Sequence, residues 1–288
     1  MFKILVTGVS GLQRQRLFEQ DLRDVQVHYD LGELMLRIAG QRNLPYDNAN
    51  ILTAPTSTLK ALRFSAIERI MNAAQTGDQS RPLIVSAHTV YMLKDRLMEG
   101  LSRKDIEAIN PDMVVTLVDS PQNIHRQLRN QAGEYFRLPM ELIVRWQEFE
   151  VFYSNHLAKD YGKPHYVVPV SQADSFRSLL QHNNRRVIYL TYPATNLSEA
   201  DRTRVSEFIN QLKQRCVVFD PAAIATSMAR NPNYDLTDYS AINSYTRVRD
   251  LEWLIGINAD AVVAYLPKVV FSSSMNDELR FAYENGRP

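Results

Sequence analysis

Glu278 stands just after a run of hydroxyls, Ser272-Ser273-Ser274, and enters the helical pattern that runs to Glu284. A carboxylate at a helix start meets N–H groups and the positive end of the helix dipole, which favour its ionised form. Beneath an anomeric carbon, such a group would stabilise or capture the oxocarbenium-like state of a breaking C–N glycosidic bond. The hydroxyls and N–H groups around Ser272, Ser274 and Asn276 suit an anion such as a 5′-phosphate. Asp250 is a second carboxylate, able to hold a sugar hydroxyl or to serve a leaving base. Tyr189 ends a strand, where open α/β sheets bind ligands, and Tyr192 follows it in the loop. A blander reading makes Glu278 an ordinary first-turn acid capped by Ser274. Likewise Asp250 beside Arg249 could be a solvated face, and Trp253 reads as core.

A second constellation lies at the other end of the chain. Gly8-Val9-Ser10-Gly11-Leu12-Gln13-Arg14-Gln15 follows the apolar run Phe2 to Val6 and opens a helix. A phosphate-binding loop belongs at such a place. Glycine lets backbone N–H groups approach phosphate, lysine neutralises it, and a hydroxyl holds magnesium. Here Gly8 and Gly11 are present, but Gln13, Arg14 and Gln15 stand where Gly, Lys and Ser/Thr are needed. Arg14 can still meet a phosphate; Gln15 is a poor magnesium ligand.

The elements that must position these residues alternate in type. Phe2 to Val6, Val25 to Tyr29, Leu83 to Val85, Met113 to Val118 and Tyr166 to Val170 read as buried parallel strands. Thr58 to Ala74 and Met140 to Lys159 read as helices between them. The rhythm restarts with a strand at Val187 to Thr191, a helix from Ser198 to Arg215 and a strand at Cys216 to Phe219. A helix from Tyr239 to Leu254, a strand from Ala261 to Leu266 and a helix from Met275 to Glu284 complete it. The polar stretch Gln181 to Arg186 marks the boundary. With 33 basic and 32 acidic side chains in 288 residues, there is no broad basic field for nucleic acid or membrane. The single cysteine, Cys216, forms no intramolecular disulfide and reads as a buried structural thiol. No signal-peptide pattern or membrane span is evident, so cytoplasmic residence is expected.

The first half resembles archaeal-type adenylate kinases. The similarity rests on the loop Gly8 to Gln15, on His28-Tyr29-Asp30-Leu31-Gly32-Glu33, on Ile84-Val85-Ser86-Ala87-His88, and on Val118-Asp119-Ser120-Pro121. Against that pattern Ser86 replaces an Asp. The lid segment from Arg126 to Arg137 is thin in arginine. These departures imply a pseudokinase with no phosphoryl transfer, serving as a platform or a nucleotide sensor. The last hundred or so residues resemble the nucleoside 2-deoxyribosyltransferase superfamily, especially its deoxynucleoside-monophosphate N-glycosidase branch. The carriers are Ile188-Tyr189-Leu190-Thr191, Asp250-Leu251-Glu252-Trp253-Leu254, Ala259-Asp260-Ala261-Val262-Val263-Ala264 and Glu278-Leu279. That resemblance implies a sugar-side Tyr189, a sugar-orienting Asp250, a nucleophilic Glu278 and a phosphate-contacting Ser272. It also implies a further strand after Pro288.

The expectation is therefore an α/β chain of two doubly wound parallel-sheet domains, P-loop kinase-like over 1–180 and Rossmann-like deoxyribosyltransferase over 185–288. The expected function is cleavage or transfer of an N-glycosidic bond, with NAD among the candidate substrates. The alternative is a non-catalytic nucleotide-binding or assembly protein built from two decayed enzyme folds. Expected partners are a small-molecule nucleoside or nucleotide and a second copy of the chain. No cofactor, metal, membrane or nucleic acid is expected.

Overall fold

The computed structural model describes residues 1–24, 26–93, 95–130, 138–181, 184–194, 197–221, 234–268 and 272–288. Val25, most of the expected lid (131–137), His182 and Asn183 fall outside the described residues. So do 269–271, just ahead of Ser272.

The chain divides into two compact units, Met1–Tyr166 and Val167–Pro288. The first carries strands β1 (Lys3–Thr7), β2 (Val27–Asp30), β3 (Leu83–Ser86) and β6 (Met113–Val118), in a sheet ordered β2-β3-β1-β6-β7 whose last strand, β7 (His165–Pro169), holds the division between the units. β1 pairs in parallel with β3 and with β6, so Ile4 lies opposite both Ile84 and Met113. Every residue of β3 and β6 is buried, as expected of strands covered on both faces. Helices α1 (Arg14–Arg16), α2 (Leu31–Gln41), α3 (Thr56–Thr76), α4 (Arg103–Ile109), α5 (Pro121–Arg129) and α6 (Met140–Asp160) complete the unit. Asp30 caps α2 by accepting from the Glu33 N–H, while Ser102 and Asp105 form a capping box on α4. A hairpin of β4 (Val90–Leu93) and β5 (Arg96–Glu99) was not expected from sequence.

The second unit has a three-stranded parallel sheet of β10 (Ala261–Ala264), β8 (Val187–Thr191) and β9 (Val217–Phe219), in the order β10-β8-β9. Its helices are α7 (Ala173–Gln181), α8 (Glu199–Lys213), α9 (Leu236–Val248) and α10 (Ser273–Glu284). The units part inside β7 rather than in the polar stretch Gln181 to Arg186. Asn258 explains this, exchanging hydrogen bonds with both the N–H and the carbonyl of Val167 at 2.7 and 2.6 Å. Ser175 of α7 donates to the Val218 carbonyl at 2.7 Å, so α7 belongs with the second sheet. The helix expected over Tyr239 to Leu254 is two elements. A capping box of Asp235 and Asp238 starts α9 early, and at Arg249 the chain widens into a π-helix, Arg249–Asn258. Cys216 precedes β9 and is half-buried, not a core strand residue.

Candidate functional site

In the first unit the sheet order reverses at β1, and open sheets bind ligands beyond the carboxyl ends of strands at such a point. The loop after β1 lies there. Gly8 has φ +146° and Gly11 φ +86°, conformations that side chains rarely adopt. A Cβ on Gly8 would also stand 2.8 Å from the Leu117 carbonyl oxygen. The loop is anchored from below. Thr7 Oγ1 shares hydrogen bonds of 2.8 Å with Thr116 and with Ser154. The Gly8 N–H donates at 3.0 Å to the fully buried carboxylate of Glu150. That carboxylate also accepts from the Thr89 and Val90 N–H groups at 2.8 and 2.9 Å, tying the loop to the segment beyond β3. Burial raises the Glu150 carboxyl above its ordinary range despite these three donors.

Arg14 opens α1. Its guanidinium donates to the Ala87 carbonyl at 3.2 Å and to His88 Nε2 at 2.9 Å. Burial, with Arg14 beside it, lowers the His88 pKa to about 3, so the ring is neutral and Nε2 accepts. A second chain of bonds runs through Ser86. Its hydroxyl donates to Asp30 Oδ2 at 2.9 Å, and His28 Nε2 meets the same hydroxyl oxygen at 2.9 Å. Ser86 has one proton to give, so His28 donates to it. Burial alone would raise the Asp30 carboxyl, but Arg14, the Glu33 N–H and the Ser86 hydroxyl outweigh it and hold it below its ordinary value.

Arg14 and Asp30 both line a cavity of about 760 Å³, which also takes in Ser10, Gly11, Arg63 and Tyr91. That volume is in the range of small-molecule sites. A magnesium ion, usual beside such loops, is poorly served. Gln15 stands in the hydroxyl position and its amide turns to Glu19 at 3.0 Å. Ser86 stands where β3 would offer a carboxylate. Among the described residues no cluster of three acids, histidines or cysteines is placed to hold a metal. The residues do not fit a protein-held magnesium.

The residues singled out in the second unit converge only in part. Thr191 Oγ1 donates to Glu278 Oε2, and Glu278 is buried within α10, well past its first turn. The helix start does not hold this carboxyl ionised. Burial raises its pKa to about 7, with Asp250 adding repulsion. Tyr189 is fully buried in β8, and burial with the Asp250 and Glu278 carboxylates pushes its hydroxyl well above its usual range. Asp250 is held by Arg249 at 2.7 and 3.1 Å. Ser272, not Ser274, caps α10 by accepting from the Met275 N–H, and its hydroxyl meets that of Ser274 at 3.1 Å. Asn276 is exposed on α10. Tyr192 donates to Asp220 at 3.0 Å and lines a separate hollow of about 340 Å³ with Arg202. Trp253 is core, stacked edge-on against Tyr245.

Sequence reasoning put no functional role on Glu150, Arg63 or Asp30. Glu150 did carry a signal. Gln147, Glu150 and Ser154 form a polar stripe at helical spacing along the buried face of α6, where a core helix would place apolar side chains.

Relatives agree on the first half. The family described as an AAA domain matches residues 13–136. An adenylate kinase of Thermococcus onnurineus (strain NA1) is 25% identical over 151 residues, covering 51% of this chain and 75% of the relative. An adenylate kinase of Thermococcus kodakarensis is 23% identical with the same coverage. Among solved structures, a shikimate kinase from Bacteroides thetaiotaomicron aligns with 62% of this chain and 98% of its own, at 16% identity and a TM-score of 0.40.

These findings overturn two expectations. The chain is not assigned N-glycosidic bond cleavage, because its relatives are kinases. The expectation that kinase activity is unlikely is overturned with it, because the relatives matched are kinases. The first unit has an α/β fold with a parallel sheet and is similar in sequence to kinases over its matched stretch.

Proposed function

We propose that the first unit binds a nucleoside triphosphate over Gly8 to Gln15 and passes its terminal phosphoryl group to an alcohol in the adjoining cavity. One observation carries this reading: the Arg14 guanidinium and the Asp30 carboxylate line the same cavity of about 760 Å³ at the sheet's switch point. Loop N–H groups and Arg14 supply the positive charge that the phosphates need, in a fixed arrangement. His88 and the Ala87 carbonyl orient the guanidinium. Asp30, held ionised, accepts a hydrogen bond from the acceptor hydroxyl and aims its oxygen at the γ-phosphorus. The bond from that oxygen to phosphorus forms, the bond from phosphorus to the β,γ-bridging oxygen breaks, and the nucleoside diphosphate leaves. The hydroxyl proton departs by way of Asp30 to solvent. No step is routed through a metal.

Calorimetric titration of the full chain with ATP tests the reading. Arg14→Ala should weaken binding by roughly ten- to a hundredfold, the value of a charge-assisted hydrogen bond to phosphate, and Arg14→Lys should recover most of it. Absence of ATP binding to the wild-type chain at millimolar concentration would sink the proposal.

A further inference from the structure

The charges around the acceptor half of this cavity bear on what can enter it, given the phosphoryl-transfer reading above. Arg63 on α3 reaches its wall, yet the side chain is only 6% exposed. Its Nε lies 2.8 Å from Asp105 Oδ2, and its Nη1 donates to the Gly100 carbonyl. That guanidinium is cancelled by a buried carboxylate and spends donors on the fold. Glu33 on α2 and Glu99 on β5 open into the same space, and neither has an ion-pair partner among the described residues. Lys60 is the opposing cation on α3, exposed and on the rim. Arg14 serves the incoming nucleotide. Apolar side chains such as Met35 and Leu59 supply the remaining wall.

We infer that the acceptor is an uncharged or cationic alcohol with an apolar body, a nucleoside or an amino alcohol, and that phosphorylated acceptors are excluded. Among the described residues lining the cavity, a phosphate monoester entering here would face Asp30, Glu33 and Glu99, with Lys60 as the cation left to meet it. Glu33 and Glu99 are exposed, as Lys60 is, and like charges facing an incoming phosphate disfavour its entry. The exclusion acts before chemistry, on entry, so it should show in kcat/KM more than in kcat.

The experiment measures ADP formation from ATP by the full chain with matched acceptors that each keep a free hydroxyl: adenosine and AMP, cytidine and CMP, 2-amino-1,3-propanediol and its monophosphate. ATP binding is measured beside it. The unphosphorylated member of at least one pair should be preferred by about tenfold or more in kcat/KM. Replacing both acids, Glu33→Gln with Glu99→Gln, should shrink that preference to about threefold or less while leaving ATP affinity unchanged. Preference for a phosphorylated member in any pair overturns the inference. So does turnover of neither member of any pair by a chain that binds ATP. If the chain does not bind ATP, the phosphoryl-transfer reading has failed first and this one falls with it.

Discussion

The carboxyl of Glu278 is a buried acid that accepts from the Thr191 hydroxyl, with the Tyr189 hydroxyl beside it and a like charge, Asp250, nearby. Its pKa rises from 4.5 to about 7 through burial first. The folded chain therefore holds this proton more tightly than the unfolded chain does. The stabilisation is full below about pH 4.5 and is lost as pH rises through 7. The amount is on the order of 3 kcal/mol. Urea denaturation at pH 5 and pH 8 should show the second unit weaker at the higher pH, and Glu278→Gln should remove most of the difference. An unchanged slope in the variant would assign the effect elsewhere. At this scale the sequence was legible where chemistry needs backbone shape, as at Gly8 and Gly11, and illegible where burial decides. Nothing in the residues around Glu278 says that it sits past the first turn of α10 and faces Thr191. Its ionisation was misjudged for that reason.

Among the elements, continuous apolar runs identified β1, β3, β6 and β8, because strands covered on both faces need no alternation. The β4–β5 hairpin gave no such signal. Its second strand, Arg96–Glu99, has no buried face, and each strand has only four residues. The hairpin is nonetheless a wall of the cavity through Tyr91, Met98 and Glu99. Gly100 docks it. The Gly100 N–H donates to the Thr89 carbonyl at 2.8 Å, and a Cβ there would lie 2.1 Å from the His88 carbonyl oxygen. Backbone atoms cannot step aside for it as a flexible side chain would. Gly100→Ala should destabilise the first unit by more than about 2 kcal/mol. It should also weaken ATP binding, because His88 orients Arg14. A variant with wild-type melting and wild-type ATP affinity would refute this docking role.

For the whole molecule, two parallel α/β sheets were readable from the repeating rhythm of strands and helices, and the boundary was placed late because β7 and α7 share that same rhythm. Among the described residues no helix is long and apolar enough to cross a membrane. The two units should respond to acid in opposite directions. His28, His88 and His165, all in the first unit, have pKa values lowered to about 4, 3 and 3 by burial. A base held neutral in this way stabilises fully above its ordinary 6.5, and the stabilisation is lost as pH falls toward the lowered value. Glu150 and Asp119, raised by burial, act in the opposite sense and offset part of this. Scanning calorimetry between pH 7 and pH 5 should move the first unit's transition down and the second unit's transition up. Both moving down together would contradict it.

Glu150 has one more consequence. It gathers three amide protons, those of Gly8, Thr89 and Val90, from two segments that approach only in the folded sheet. Two of those amides lie in loops, where deuterium is ordinarily taken up within seconds to minutes. Here they should label only when the whole first unit opens, at the pace of its central strands. The rim of the nucleotide site would then be among the slowest-exchanging parts of the chain. Glu150→Gln should release those protons first, since a side-chain amide offers one accepting oxygen in place of two. Slow exchange at Gly8 would mark a binding loop set in place before any ligand arrives.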